Sequence, residues 1–417
     1  FDLPKAWAAG MVLALIAFAS VMFLGPGDEL AFLFVCCVSG LALGADMVAP
    51  SALLNRVIDH LGHRGHAEGL YLGWWNLITK FNLALAEFTG AKNIITCGNG
   101  TDALQIAMMA LNLAEGDEVI LPAFTYTATA EVIALLKLKP VFVEVCADTF
   151  NIDVAALEAA ITSKTKALLP VHLFGQCANM EAIMALAVRY NLYIIEDAAQ
   201  AIGAQYTFAS GERWQAGCMG TIGCTSFFPT KNLGAFGDGG AIFCKEPNLA
   251  LRLKMIANHG QKEKYVHEIV GVNSRLDTLQ AAILNVQLKH LPTAIARKQQ
   301  IAARYDAALA NITGLSIPVR DTKSTHVFHQ YTLRITSRRD ELKKYLTDAG
   351  IDTMVYYATP MHLQKAYANA SHPAGSFPIA EQLSKEVLSI PIHTTLTDAE
   401  IDLVIQKIKD FFALTIT

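Results

Sequence analysis

The chain has 417 residues, 53% of them hydrophobic and 17% charged, with a net charge of −4 and a mean hydropathy of +0.34. Globular proteins carry about 25% charged residues, so this composition excludes disordered, collagen-like and low-complexity classes, and without a basic field no nucleic-acid partner is expected. The length suffices for about two or three domain-sized units, and the apolar excess admits a membrane protein or a chain with one membrane-facing part.

The apolar excess sits at the start. Residues 1–86 hold ten of the seventy charged side chains. Ala6–Gly27 is an uncharged run of 22 residues, long enough to span a bilayer. The acidic turn Gly27-Asp28-Glu29 follows, and a second apolar stretch runs from Leu30 to Leu54, interrupted at Asp46. Two membrane helices are therefore expected. A signal peptide fits poorly, because the run is long and a second span follows. Phe1 is not an initiator methionine, so the start reads as a fragment. Lys5, Arg56 and Arg64 place the flanking loops on the cytoplasmic side by the positive-inside rule. His60, His63 and His66 read as a polar loop, and no metal site is expected. Gly44-Ala45-Asp46, Val57-Ile58-Asp59, Glu68-Gly69-Leu70-Tyr71, Trp75-Asn76 and Lys80 resemble the late helices of glycoside–pentoside–hexuronide:cation symporters. That resemblance covers about 80 residues of a twelve-helix fold, so transport by this chain alone is not expected.

From Ala91 the pattern alternates. Strands are predicted at 93–97, 118–121, 140–145, 167–172, 192–196, 225–228 and 240–244, with helices at 101–113, 128–136, 153–161 and 180–189. Such alternation implies an α/β fold with a mainly parallel sheet. Helical sequence dominates 281–309, strands are predicted at 329–335 and 354–357, and a last helix at 398–412. The expected organisation is a helical hydrophobic fragment at 1–86, a large domain at 87–290 and a small α+β domain at 291–417. The eight cysteines include no CxxC pair and read as small buried hydrophobes in a reducing cytoplasm.

Three features carry chemistry. Gly98-Asn99-Gly100-Thr101-Asp102 follows a strand and opens a helix, where N–H groups and the helix dipole favour an anion. Asp197 ends a strand and points either to the crevice at the strands' carboxyl ends or to a helix N-cap. Lys231 follows an apolar strand, where burial near other cations would make it an amine nucleophile. Each has a bland alternative, namely a tight turn, a cap or a surface lysine; their order along the chain favours the chemical reading.

With CGNGTDAL (97–104), PAFTYTATAEV (122–132), PVHLFGQ (170–176), EDAAQAIGA (196–204), SFFPTKNLG (226–234), GDGG (237–240), NHGQ (258–261), GVNSRLDTLQAAIL (271–284), HVFHQY (326–331) and PMHLQKAY (360–367), the chain resembles the DegT/StrS-type sugar aminotransferases from about Glu87 to Phe412. The resemblance implies fold type I and pyridoxal 5′-phosphate as cofactor. It implies that Lys231 forms the Schiff base and shuttles a proton, and that Asp197 bonds the pyridine nitrogen. Tyr126 would stack on the ring, with Ala199 beneath it. Gly100, Thr101, Asp102 and Ser226 would surround the phosphate, Gln200 would lie near the ring hydroxyl, and Asn273 would reach the phosphate of a neighbouring subunit in a homodimer. Arg275, His329 and His362 are weaker substrate contacts, and His172 reads equally as a packing residue behind the site. The implied reaction moves the amino group of L-glutamate to a nucleotide-linked sugar, in the subgroup acting on 3-keto sugars such as UDP-linked keto hexuronic acids. Lys231 stands where the related sugar 3-dehydratases carry histidine. The family's usual N-terminal stretch is replaced here by symporter-like sequence, joined near 84–87. The alternative is therefore a membrane-anchored or inactive fusion; the expected location is cytoplasmic for the catalytic part, with membrane association through 6–54.

Overall fold

The computed structural model describes residues 77–368 and 372–413. The expected membrane helices within 6–54, the histidine triplet at 60–66 and all but the end of the symporter-like segment lie outside the described residues. Among the described residues no helix is long and apolar enough to cross a membrane. From residue 78 on, the described residues form one compact unit. Its first helix, α1 (Leu77–Thr89), buries Phe81 and Leu85. These two lie four residues apart, on one face of a helix, and the Phe81 ring meets Phe227 edge-on at 5.4 Å. This corrects the boundary expected at 86: residues 78–86 belong to the α/β unit, because their apolar stripe packs against its core.

The chain then alternates through β1 (Asn93–Cys97), α2 (Gly100–Ala110), β2 (Glu118–Pro122), α3 (Ala128–Leu135), β3 (Lys139–Val143), α4 (Val154–Ala159), β4 (Thr165–Leu168), α5 (Met180–Tyr190) and β5 (Tyr193–Asp197). A hairpin, β6 (Gln205–Thr207) and β7 (Arg213–Gln215), precedes β8 (Ile222–Ser226) and β9 (Gly240–Cys244). The central sheet has the order β1-β9-β8-β5-β4-β2-β3. The pairs β2–β3, β2–β4, β4–β5 and β5–β8 are parallel, and only β9 runs against its neighbours. The expected mainly parallel sheet is present.

Side chains alternate across a strand, and β2 shows the result. Val119 and Leu121 enter the core that holds Leu104, Ala107 and Ile133, while Ile120 enters the opposite core with Met180 and Ile183. Strands apolar on both faces are what a sheet covered by helices on both sides requires. The helices begin where side chains replace missing acceptors: Asn99 caps α2, Asp153 caps α4 and Asn179 caps α5.

Beyond β9 come α6 (Pro247–Ala257), the hairpin β10 (Gln261–Glu263) and β11 (Val266–His267), and α7 (Thr278–Leu309), which crosses residue 290 without a break. Then follow β12 (Leu315–Ser316), β13 (Tyr331–Ile335), α8 (Arg339–Asp348), α9 (Pro378–Glu386), β14 (Val387–Ile390) and α10 (Asp398–Ala413). A separate core gathers Ile301, Tyr305, Leu333, Leu346, Leu388 and Ile408 between these elements. The strand expected at 354–357 is absent. Met354 makes one bridge to Ser389, after which the Tyr357 ring turns to Phe124 and Tyr126 instead of extending a ladder.

Candidate active site

The strand order brings three carboxyl ends to one edge. Cys97 and Ser226 both pair with Gly240, from opposite sides, and Asp197 pairs with Cys224. The loops leaving β1, β5 and β8 therefore open on one crevice, where open α/β sheets hold ligands.

Asp197 is buried at the end of β5, and its Oδ1 accepts the Ala199 N–H at 3.0 Å. Burial pushes its carboxyl above the ordinary range, opposed by the Ala199 N–H and by the Lys231 charge. Lys231 lies in the loop after β8, in a turn closed by its own N–H donating to the Phe228 carbonyl at 2.8 Å. Burial lowers its amine, opposed by Asp197. The two groups thus sense each other across adjacent strand ends.

The start of α2 comes down beside them. The Asn99 Oδ1 accepts the Asp102 N–H at 2.8 Å. The Gly100 and Thr101 N–H groups lie in the first turn, where no intrahelical acceptor exists. A Cβ on Gly100 would lie 2.7 Å from the Ser226 Cβ, and one on Gly240 would lie 2.4 Å from the Asn99 carbonyl oxygen. Glycine at both positions is what lets this turn approach the strand ends, and it places Ser226 beside Gly100. Asp102 has a different task. Its N–H serves the cap, and its Oδ2 accepts the Ser274 hydroxyl at 2.6 Å while Ser274 Oγ accepts the Gly98 N–H at 2.8 Å. It straps the 271–277 loop to α2, and its own N–H is already used. Asn273 and Arg275 lie exposed on that loop, and the Asn273 Oδ1 accepts Arg275 Nη2 at 2.8 Å.

Tyr126 follows β2, is 55% exposed, and its ring centre lies 6.2 Å from that of Tyr357. Ala199 lies in the turn after Asp197. Gln200 is buried with both ends used: its Oε1 accepts the Phe174 N–H at 2.8 Å, and its Nε2 donates to the Tyr357 hydroxyl at 3.0 Å. It holds Tyr357 in place. His329 is buried, its Nδ1 has no partner among the described residues, and burial, then the charges of Lys231 and Lys298, push its imidazole well below its usual range. His362 is 1% exposed, with its Nε2 3.0 Å from Glu381 Oε1 and its ring against Phe377.

Four participants escaped the sequence reading. Tyr357 was hidden in a stretch read as a strand. Ser274 adjoins Arg275 inside a quoted motif but has no distinguishing pattern. Glu196 braces the site from beneath. Lys298 lies in α7 between Leu291 and Tyr305, at positions where that helix is otherwise apolar, and this is the signal that could have found it. Its Nζ donates to Asn232 Oδ1 at 2.8 Å, and burial lowers its amine to about 8.

The donor set suits a phosphorylated aromatic aldehyde with a ring nitrogen. A buried carboxyl can meet the ring nitrogen, an amine of lowered pKa can meet the aldehyde, and first-turn N–H groups with a serine hydroxyl can meet the phosphate. An exposed aromatic side chain flanks them, and the partnerless His329 Nδ1 leaves one polar position for a further group. The residues present fit pyridoxal 5′-phosphate.

Comparison with known proteins agrees with that fit. The chain matches the DegT/DnrJ/EryC1/StrS aminotransferase family over residues 68–409. The match begins at 68 rather than at the expected Glu87, so it overlaps the segment read as symporter-like. A protein of Geobacillus stearothermophilus named pleiotropic regulatory protein is 47% identical over 80% of this chain and 89% of its own length. The UDP-2-acetamido-2-deoxy-3-oxo-D-glucuronate aminotransferase of Pseudomonas aeruginosa is 46% identical over 78% of this chain and 88% of its own. Among solved structures, S. venezuelae DesV in complex with a ketimine intermediate superposes with a TM-score of 0.78 at 38% identity, covering 86% of this chain and 97% of that one.

Proposed function

The chain belongs to the DegT/DnrJ/EryC1/StrS aminotransferase family, whose members depend on pyridoxal 5′-phosphate, and we propose that it moves the amino group of L-glutamate to the keto group of a nucleotide-linked sugar. The observation that carries this reading is the pairing of a buried Asp197 with Lys231 at the ends of adjacent strands β5 and β8. When bound, the cofactor supplies an electron sink for the carbanion formed at the donor's α-carbon.

The protein's own groups do the rest. Lys231, whose amine burial lowers, would bind the aldehyde carbon and move the proton at the donor's α-carbon. Asp197 holds the proton on the ring nitrogen. A positive ring nitrogen would add to the Lys231 charge in opposing the upward push that burial gives this carboxyl. Gly100, Thr101 and Ser226 would bind the phosphate, Tyr126 and Ala199 would hold the ring, and Gln200 orients Tyr357 beside them. Residues 87–290 carry these groups, and 291–417 contribute His329 and Tyr357. Asn273, exposed on its loop beside Arg275, reaches a second subunit in a homodimer.

A 3-keto sugar, such as a UDP-linked keto hexuronic acid, is favoured by the relative named for a 3-oxo-glucuronate. Membrane association through 6–54 rests on hydropathy alone, and resistance of the membrane-bound fraction to alkaline extraction tests it. The reaction is tested by borohydride reduction of the holoenzyme with peptide mapping, then by glutamate-dependent amination across a panel of keto nucleotide sugars. Cofactor fixed on Lys231 and formation of 2-oxoglutarate are expected; a cofactor fixed elsewhere, or not at all, overturns the assignment.

A further inference from the structure

Lys298 is a second enclosed amine near the reacting lysine, and nothing in the proposed chemistry uses it. It projects from α7 and donates to Asn232 Oδ1 at 2.8 Å. Asn232 adjoins Lys231 and in turn donates through Nδ2 to the Val327 carbonyl at 2.9 Å. The next residue of α7, Gln299, donates to the His326 carbonyl at 3.1 Å. The 326–329 segment is itself tied to the turn at 173–175, with Val327 N–H donating to the Gly175 carbonyl and His329 N–H to the Phe174 carbonyl, both at 2.9 Å. One helix thus grips both the turn that carries Lys231 and the segment that carries His329.

We infer that Lys298 is a positioning residue: through Asn232 it fixes the turn that carries Lys231, and its ammonium sets a positive charge beside the segment that carries His329. The inference rests on Lys231 being the lysine that holds the cofactor. A neutral side chain of similar length would fill the same space without the cost of enclosing an ammonium, so the charge needs a reason. His329 supplies one, because Lys298 is among the groups that lower its imidazole. At Lys231 the charge that opposes burial is Asp197. Lys298 therefore acts on Lys231 through the backbone turn and on His329 through its charge. A neutral His329 keeps a lone pair on one ring nitrogen, and its Nδ1 has no partner among the described residues.

The test compares wild-type holoenzyme with K298M, K298R and N232A. K298M should lose about tenfold to a hundredfold in kcat, the scale expected for a small misplacement of a reacting group, with donor KM within about threefold. Its His329 imidazole, followed by NMR, should titrate at higher pH than in wild type. K298R, which keeps charge and donor, should recover most of the kcat and leave His329 at its wild-type titration. N232A should reproduce the kcat loss and leave His329 unmoved, and it carries the test if K298M does not fold. A K298M or N232A enzyme with wild-type kcat overturns the inference, as does a His329 titration unchanged in folded K298M. Wild-type enzyme with no cofactor reducible onto Lys231 overturns the aminotransferase assignment and this inference with it. Trapping on Lys231 alongside an indifferent Lys298 overturns this inference alone.

Discussion

His172 Nε2 lies 2.9 Å from Glu196 Oε2, and both side chains are wholly buried. The partner of the other ring nitrogen fixes the proton: His172 Nδ1 accepts the Ala178 N–H at 3.1 Å, so Nε2 carries the hydrogen and donates to Glu196. The same carboxylate accepts the N–H groups of Gly217, Met219 and Gly220. Glu196 immediately precedes Asp197, so these four bonds hold the end of β5 from below and set where the reactive carboxyl stands.

Replacing Glu196 by alanine should therefore cost stability first. Three backbone donors and the His172 N–H would lose their acceptor inside the core, and breaking a buried charged network of this kind costs about 3–5 kcal/mol. Urea denaturation should show that loss for E196A. E196Q keeps one acceptor oxygen but turns an amide donor toward backbone N–H groups, so a smaller loss is expected. An E196A protein within about 1 kcal/mol of wild type would show that the network is not a brace.

Lys231→Ala should abolish borohydride trapping and lower turnover by about a thousandfold or more, as expected when the nucleophile of covalent catalysis is removed. Asp197→Asn keeps the shape but cannot carry a full negative charge, so kcat should fall about a hundredfold or more while the fold survives. Turnover in the first variant close to wild type would exclude Lys231 as the reacting amine.

Lys298 gives a pH signature. Its amine is lowered to about 8 in the fold, from the ordinary 10.5. Between those values the unfolded chain binds more protons at this position than the folded one, so stability rises with pH. Its penalty is full below about 8 and is relieved as pH climbs toward 10.5, a span of up to about 3 kcal/mol for one group. The stability of wild type minus that of K298M should therefore increase across this window. A difference that stays flat between pH 7 and 10, measured by denaturant titration, would contradict it.

The homodimer expectation has a local test. Phe236, Val270, Leu279 and Val286 are exposed apolar side chains on the stretches flanking Asn273. The Phe236 N–H donates to Gln280 Oε1 at 2.8 Å, which brings its loop to the start of α7. Leu279→Asp should shift sedimentation toward a single chain and weaken cofactor retention with it. Asn273→Ala should weaken cofactor binding by about 1.5–3 kcal/mol, the scale of one hydrogen bond to a charged group, and leave assembly intact. A monomeric wild-type enzyme that retains its cofactor would overturn both.

The sequence by itself determined the layered α/β architecture and the order of the chemical groups along it. Strand runs apolar on every residue can settle only between two helical layers, and β1 and β9 emerge at the residues predicted, Asn93–Cys97 and Gly240–Cys244. The motifs around Gly100, Asp197 and Lys231 were legible because each sits at a strand end, where local pattern and chemistry coincide. The tertiary structure decided what no spacing encodes. Asp102 reads as lying beside the phosphate, and only the fold shows that its carboxylate receives Ser274 from the 271–277 loop. Gln200 reads as a cofactor contact, and only the fold shows that its amide also holds Tyr357, 157 residues away. The boundary expected at 86 moved because Phe81 and Leu85 need a core to cover them, and a one-dimensional hydropathy run does not distinguish a protein core from a bilayer. Lys298 marks the same division: its place on an apolar stripe was visible, but only packing showed that the stripe ends on the neighbour of the reacting lysine.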